Sequence, residues 1–417
     1  MIKKKTLLTT LVLLSVMQGS VYADPRLDIG DNETVTKYEN DINVEIKDDI
    51  GISIGKNSTV TIGSDSAEKI TIIGTGISGS GNDQSGGGYG GQYGADIGQG
   101  SSLTLKGKNI ELNSYYDYSA RVGDAIEDKG ARLYIGNSAT DEVLLKGHIS
   151  IIADSEVNIQ GKKITINNTK NANDGIDKKG NIESGISIDG NKGNSSRNGS
   201  VAIGNQDTSE ITVVGGYKGI DIGSYGDNAK SDGVNFTADK ITIETTESYT
   251  SSNTAGYGAI RVQNFEKGKF NFMSDDITIK GKEEGIYLLN SDFNIRKKDT
   301  DTADTGIINV SSENSDGIYV KQGEVKADQD NSFAEISISG KENGINADIS
   351  SKILLTSQNI NTITSAGIAI NANGINKIDI TSINNTITGE DKAVCMIGVE
   401  HDLNDKTGIV AQDIRNN

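Results

Sequence analysis

Four residue types are scarce in this chain. Proline occurs once (Pro25), cysteine once (Cys395), histidine twice (His148 and His401), and tryptophan not at all. A lone cysteine excludes any intrachain disulfide, so burial and backbone pairing must hold the fold. Proline cannot donate to a strand ladder, and its near absence suits a chain that is almost all strand. The two histidines lie far apart with no cysteine beside them, which leaves no zinc ligand set and no nucleophile–histidine pairing in the sequence. Both are expected to be solvated. No phosphate-loop, G-x-S-x-G or H-E-x-x-H pattern occurs. No catalytic residue, metal or cofactor is therefore assigned.

Positive charge is also short. The formal net charge is −18 at pH 7, and the three lysines near the start sit in a segment expected to be removed, which leaves −21. Such a chain is a poor partner for nucleic acid or anionic lipid. That basic segment reads as an export leader over residues 1–23. Lys3, Lys4 and Lys5 precede an apolar run containing Leu7, Leu8, Leu11, Val12, Leu13 and Leu14, and Val21-Tyr22-Ala23 fits a small-x-small cleavage site. The run is too short to span a bilayer. The protein is expected to be exported, to the cell surface or beyond.

Glycine, by contrast, is plentiful at 51 residues, and it recurs with Asn and Asp between short alternating segments. From Phe270 the chain reads Phe-Asn-Phe, then Ile277-Thr278-Ile279, then Gly285-Ile286-Tyr287-Leu288, and returns to Phe293-Asn294-Ile295. Each segment alternates with the period of a strand. The first type recurs at Val60, Leu103, Leu133, Val157, Val234 and Ile378, and the second at Ile70, Ile110, Ile164, Ile211, Ile241 and Ile336. The third is a Gly-Ile pair, as at Gly185, Gly219, Gly285, Gly317, Gly344, Gly367 and Gly408.

Three such strands cannot bury a face alone, whereas stacked coils can. The turns leave no room for crossover helices, and no sustained 3.6-residue period occurs. The expected fold is all-β: a right-handed parallel β-helix with three short strands per coil, as one domain over 24–417. About 14 to 16 coils at about 4.8 Å each give a rod of about 65–75 Å. Longer insertions at 75–94, 190–199, 223–233, 246–258 and 296–305 are expected to be loops.

These repeated I-T-I and N-G-I or D-G-I coils, behind an export leader, resemble the passenger domains of autotransporters, with their pectin-lyase-like β-helices. The resemblance spans most of the mature chain. It implies a surface-displayed or secreted protein of a bacterium with an outer membrane, often an adhesin that binds host-cell or matrix glycans or proteins. It also implies a C-terminal membrane barrel of amphipathic strands. The chain instead ends at Ile414-Arg415-Asn416-Asn417, still within the repeat pattern. A truncated gene, a fragment, or a barrel on a separate chain are the alternatives. The other function class on this fold is a polysaccharide lyase or glycoside hydrolase, which needs clustered carboxylates. Candidate clusters are Asp221 with Asp227 and Asp232, Asp275-Asp276 with Glu283-Glu284, and Asp299 with Asp301 and Asp304. All are expected to be solvated turn residues. Gly90 to Asp96 loosely follows a calcium-binding glycine repeat, once and with a misplaced glycine, and is read as a loop.

The register places functional candidates. The residue after each Gly-Ile pair should face outward in a column of Ser187, Asp221, Arg261, Tyr287, Tyr319, Asn346, Ala369, Cys395 and Val410. A second outward column should hold Thr71, Thr165, Thr212, Thr242 and Thr278. A tyrosine patch of Tyr89, Tyr93, Tyr115, Tyr116 and Tyr118 is the expected adhesive surface, because tyrosine joins an apolar ring to a polar tip.

Overall fold

The computed structural model describes residues 23–24, 27–38, 43–48, 50–75, 93–123, 130–152, 155–169, 184–190, 200–224, 233–248, 256–298, 305–327, 333–374, 377–397, 400–402 and 409–413. The expected leader lies outside these, apart from Ala23. The described residues form strands and turns with no helix, and 37 strands join in one parallel assembly. The fold is a parallel β-helix.

Three faces run along it. On the first, Val234–Thr237 pairs with Phe270–Met273, which pairs with Asp292–Arg296. On the second, Lys240–Thr245, Asp276–Gly281 and Ile307–Ser312 stack in the same way. On the third, Gly258–Gln263, Glu284–Leu289 and Ile318–Lys321 follow one another. Among the described residues, thirteen or fourteen rungs per face span about 60 Å at about 4.8 Å per rung.

Alternation builds the core. Each strand turns two apolar side chains inward, as Phe270 with Phe272, Ile277 with Ile279, and Ile286 with Leu288, all of them fully buried. Stacked rungs make each pair continuous with the next, so burial is one column rather than many small cores. All six phenylalanines lie between 236 and 333 and are fully buried. Phe270 stacks on Phe293 at 4.6 Å between centroids, and Phe272 meets Phe293 edge-on at 4.9 Å. Outside that stretch, β-branched and Leu side chains carry most of the core.

Corners explain the Gly-Ile motif. A Cβ on Gly285 would stand 2.5 Å from the carbonyl oxygen of Gly317 in the next coil, and one on Gly281 would stand 1.9 Å from the carbonyl of Glu284. The turn between second and third faces is too tight for a side chain at either place. The described chain replaces the Gly of the pair by alanine at Ala259, Ala369 and Ala393, one residue before the inward Ile260, Ile370 and Val394.

That last fact corrects two register assignments. Ile345 pairs with Ile370, not Ile368, so the outward residue of that coil is Asn371, and Ala369 is buried. Gly367-Ile368 lies two residues early, in the corner. Val410 pairs with Thr386 and so continues the threonine column of the second face. A further difference concerns strand length. Asn109–Val122 and Glu142–Ile152 run through the second and third faces unbroken, and Lys352–Ser365 through the first and second. At these corners the chain bends without leaving the ladder.

Candidate functional site

The second face carries the expected threonine column: Thr165, Thr212, Thr242 and Thr278 are partners on successive rungs. Glu111 interrupts it below, between Lys69 and Lys146. Threonine suits an exposed strand position for its β-propensity alone.

The third face is chemically richer. Its outward column reads Asp96, Arg121, Ser150, Ser187, Asp221, Arg261, Tyr287, Tyr319, Asn346, Asn371 and Cys395 in rung order. A second column stands beside it at the corner. There Tyr93, Tyr118 and His148 follow one another, and further along stand Lys218, Glu284, Asp316 and Asn343. The gaps between described strands at 76–92, 170–183 and 249–255 fall between second-face and third-face strands, and those at 124–129, 191–199 and 225–232 between third and first. The longest breaks in the repeat therefore flank this face.

At its lower end, Arg121 donates to both oxygens of Asp96 at 2.8 Å and lies over the Tyr93 ring at 4.7 Å. Tyr93 and Tyr118 have ring centroids 5.4 Å apart, and Tyr118 stacks on His148 at 4.9 Å. His148 Nε2 sits 2.8 Å from Ser187 Oγ. The expectation of a solvated His148 is thus overturned: it is buried, because its ring closes an aromatic stack. The side chain of His401 lies outside the described residues.

The tyrosine patch is corrected in part. Tyr93 and Tyr118 do meet across adjacent rungs, but Tyr93 is buried under Arg121 and Tyr118 rather than displayed. Tyr115 and Tyr118 are half-buried. Tyr89 and the side chain of Tyr116 lie outside the described residues. The calcium-like loop fares similarly: its Asp96 is held by Arg121.

The middle of the face holds an ionic chain. Asp221 accepts from Lys218 Nζ at 2.8 Å and from Arg261 Nη1 at 2.6 Å, while Arg261 Nη2 donates to Gln263 Oε1 at 2.7 Å. The Lys218 ammonium also lies 5.1 Å from the centre of the Tyr257 ring. Above Arg261, Tyr287 and Tyr319 stack at 5.0 Å with planes 11° apart. Burial raises both phenols, and the nearby Asp348 carboxylate helps push Tyr319 up to about 12. The expected outward alignment of Arg261, Tyr287 and Tyr319 is present, although Tyr287 is only 8% exposed.

Beside the tyrosines sit two buried carboxylates, Glu284, which is expected in solvent from the sequence, and Asp316. Glu284 is 6% exposed and Asp316 is 4% exposed. They stand two residues before the paired Ile286 and Ile318, on neighbouring rungs. Asp316 Oδ1 and Oδ2 accept from the amides of Asn343 and Asn346, each at 2.7 Å. Glu284 is hydrogen-bonded by its own backbone and that of Gly256, and its Oε2 has no hydrogen-bond partner among the described residues. Burial lifts Glu284 to about 7, and raises Asp316 against the pull of its two amide donors. The signal in the sequence was the residue before each Gly-Ile pair, a column that is polar in coil after coil.

The remaining acidic clusters do not converge. Asp275 and Asp276 are at a corner of the second face, and Asp227, Asp232, Asp299, Asp301 and Asp304 lie outside the described residues. Among the described residues no three of His, Cys, Asp and Glu are grouped to hold a metal ion. The chain matches no protein-family model, no curated protein and no solved structure.

Proposed function

We propose that this protein is an adhesin-like binding rod, exported to the cell surface or secreted, which recognises a host or matrix glycan or protein along its third face. One observation carries the reading. Aromatic, ionic and amide side chains gather in two adjacent columns of that face, whereas the second face presents mostly threonine, serine and paired charges. The stacked rings spend their faces on one another, so what they offer outward is ring edges and hydroxyls. A ligand would be held by hydrogen bonds along the rod, one set per rung. An extended sugar chain, which advances by close to one rung per residue, fits that spacing. The export leader read in residues 1–23 supports a surface or secreted location.

The test is binding of the purified rod to a glycan array and to immobilised extracellular-matrix proteins. Tyr319→Ser and Asn346→Ser should weaken capture while Thr212→Ser, on the second face, leaves it unchanged. Equal binding by all three folded variants would remove the third face from the proposal.

A second reading, a polysaccharide lyase or hydrolase, draws on one feature. Glu284 at about 7 lies in the range of a general acid. Its free oxygen, however, is buried away from any approaching ligand. Release of reducing ends or unsaturated products from uronate polysaccharides would establish this reading in place of the first.

A further inference from the structure

The third face treats its carboxylates in two ways. Asp96 is paired with Arg121, Asp221 with Lys218 and Arg261, and Asp348 with Lys321. Glu284 and Asp316 are more deeply buried than any of these, stand on consecutive rungs, and have no cation partner among the described residues. Asp316 has both oxygens covered by amide donors, and Glu284 keeps one oxygen with no donor among the described residues. A buried carboxylate oxygen without a donor is satisfied most simply by a proton. Two such groups side by side also resist being charged together.

We propose, resting on the third-face reading above, that Glu284 and Asp316 form a proton-operated gate in the binding strip, which lets an anionic glycan bind when the pair is neutral and repels it when the pair is charged.

The surroundings set the sign. The preceding rungs contribute Lys218, Asp221 and Arg261, the rung of Asp316 itself contributes Lys321, and the following one Asp348. The phenols of Tyr287 and Tyr319 are neutral, since burial raises both. Turns beside the pair add Lys282 and Lys341 against Glu283, Glu313 and Glu342. These groups balance, five cations to five carboxylates. Ionising the pair leaves negative charge in excess, and an acidic ligand on the strip meets that excess. Protonation of Glu284 in the neutral range, through its burial, places the change within reach of ordinary buffers.

The experiment uses the full chain in EDTA-containing buffer, with dextran sulfate as the charged probe and unmodified dextran as its neutral counterpart. Sulfate does not titrate above pH 5, so any pH dependence belongs to the protein. Dextran sulfate should bind roughly tenfold more tightly at pH 5.5 than at pH 8, as expected for about one linked proton. In Glu284→Gln/Asp316→Asn that ratio should fall towards one, with binding held at its acid-side strength. Thr212→Ser, on the second face, should keep the full ratio. A ratio near one in the unmodified protein, no binding of dextran sulfate at pH 5.5, or an unchanged ratio in the double variant overturns the gate. Failure of the third-face reading has a different mark: pH-dependent capture that Tyr319→Ser does not weaken. Circular dichroism of each variant confirms that the rod is folded.

Discussion

The rings of Tyr287 and Tyr319 lie one above the other on adjacent rungs, 5.0 Å apart and 11° from parallel. A residue that the strand period places on the outside is thereby almost wholly buried, because its neighbour along the rod covers one face and Gly256 approaches its edge. Outward and exposed are not equivalent in a solenoid. Removing the Tyr287 ring takes away both buried area and a stacking partner, worth about 0.5–1.5 kcal/mol beyond the area itself. Tyr287→Ser should therefore cost about 2–3 kcal/mol, rather than being mild as exposure on a strand would suggest. A double-mutant cycle with Tyr319→Ser, followed by urea unfolding, should return a coupling energy within the stacking range.

Ile286 and Ile318 point the other way, into the core column, and are fully buried. An aspartate in either place would bring a charge into that column with no partner. Ile286→Asp should destabilise the rod by more than about 4 kcal/mol. The check is early proteolytic cleavage near that coil, compared with Tyr287→Ser under the same conditions. Equal resistance of the two variants would mean that the register is wrong.

Much of this was legible in the sequence, for a physical reason. The strand period is two, each strand must bury one side, and stacked coils force like positions together, so inward columns and the threonine column followed from spacing alone. Gly367 misled because a Gly-Ile pair marks the tight turn only when the residues that close the turn are also present. At Ala369 an alanine held that place, and its inward neighbour Ile370 gave the true register. The buried pair Glu284 and Asp316 was not legible as a pair. Composition made them two more acids in an acidic chain, and only the register across coils sets them side by side beneath the tyrosines. His148 was missed likewise, since its burial depends on Tyr118 in the preceding coil.

The phenylalanine cluster should be the most stable part of the rod. Phe270 touches the rings of Phe236, Phe272 and Phe293 in three successive coils. Phe270→Ala should cost about 3–5 kcal/mol, more than Ile70→Val near the start at about 0.5–1.5 kcal/mol. Because neighbouring coils share the loss, amide exchange should accelerate from the first-face strand Val234–Thr237 to Asp292–Arg296 together. Exchange confined to Phe270–Met273 would show that the coils open independently.

Stability should also depend on pH through Glu284. Its carboxyl titrates near 4.5 in the unfolded chain and near 7 in the fold, with burial as the main cause. Between those values the folded protein holds a proton that the unfolded chain has released. Its contribution is thus fully present below about pH 4.5 and is lost as the pH rises through about 7. The loss amounts to at most about 3 kcal/mol for this group. Asp316, raised in the same direction by burial, adds to the effect in the same sense. The many paired carboxylates elsewhere pull the opposite way, so the comparison must be made against a variant. Glu284→Gln should flatten the difference in urea midpoint between pH 5 and pH 8 relative to the unmodified protein, gaining stability at pH 8 and little at pH 5. A variant that follows the unmodified protein at both pH values would mean that Glu284 is ionised in the fold, and that the carboxylate finds in solution a donor for Oε2.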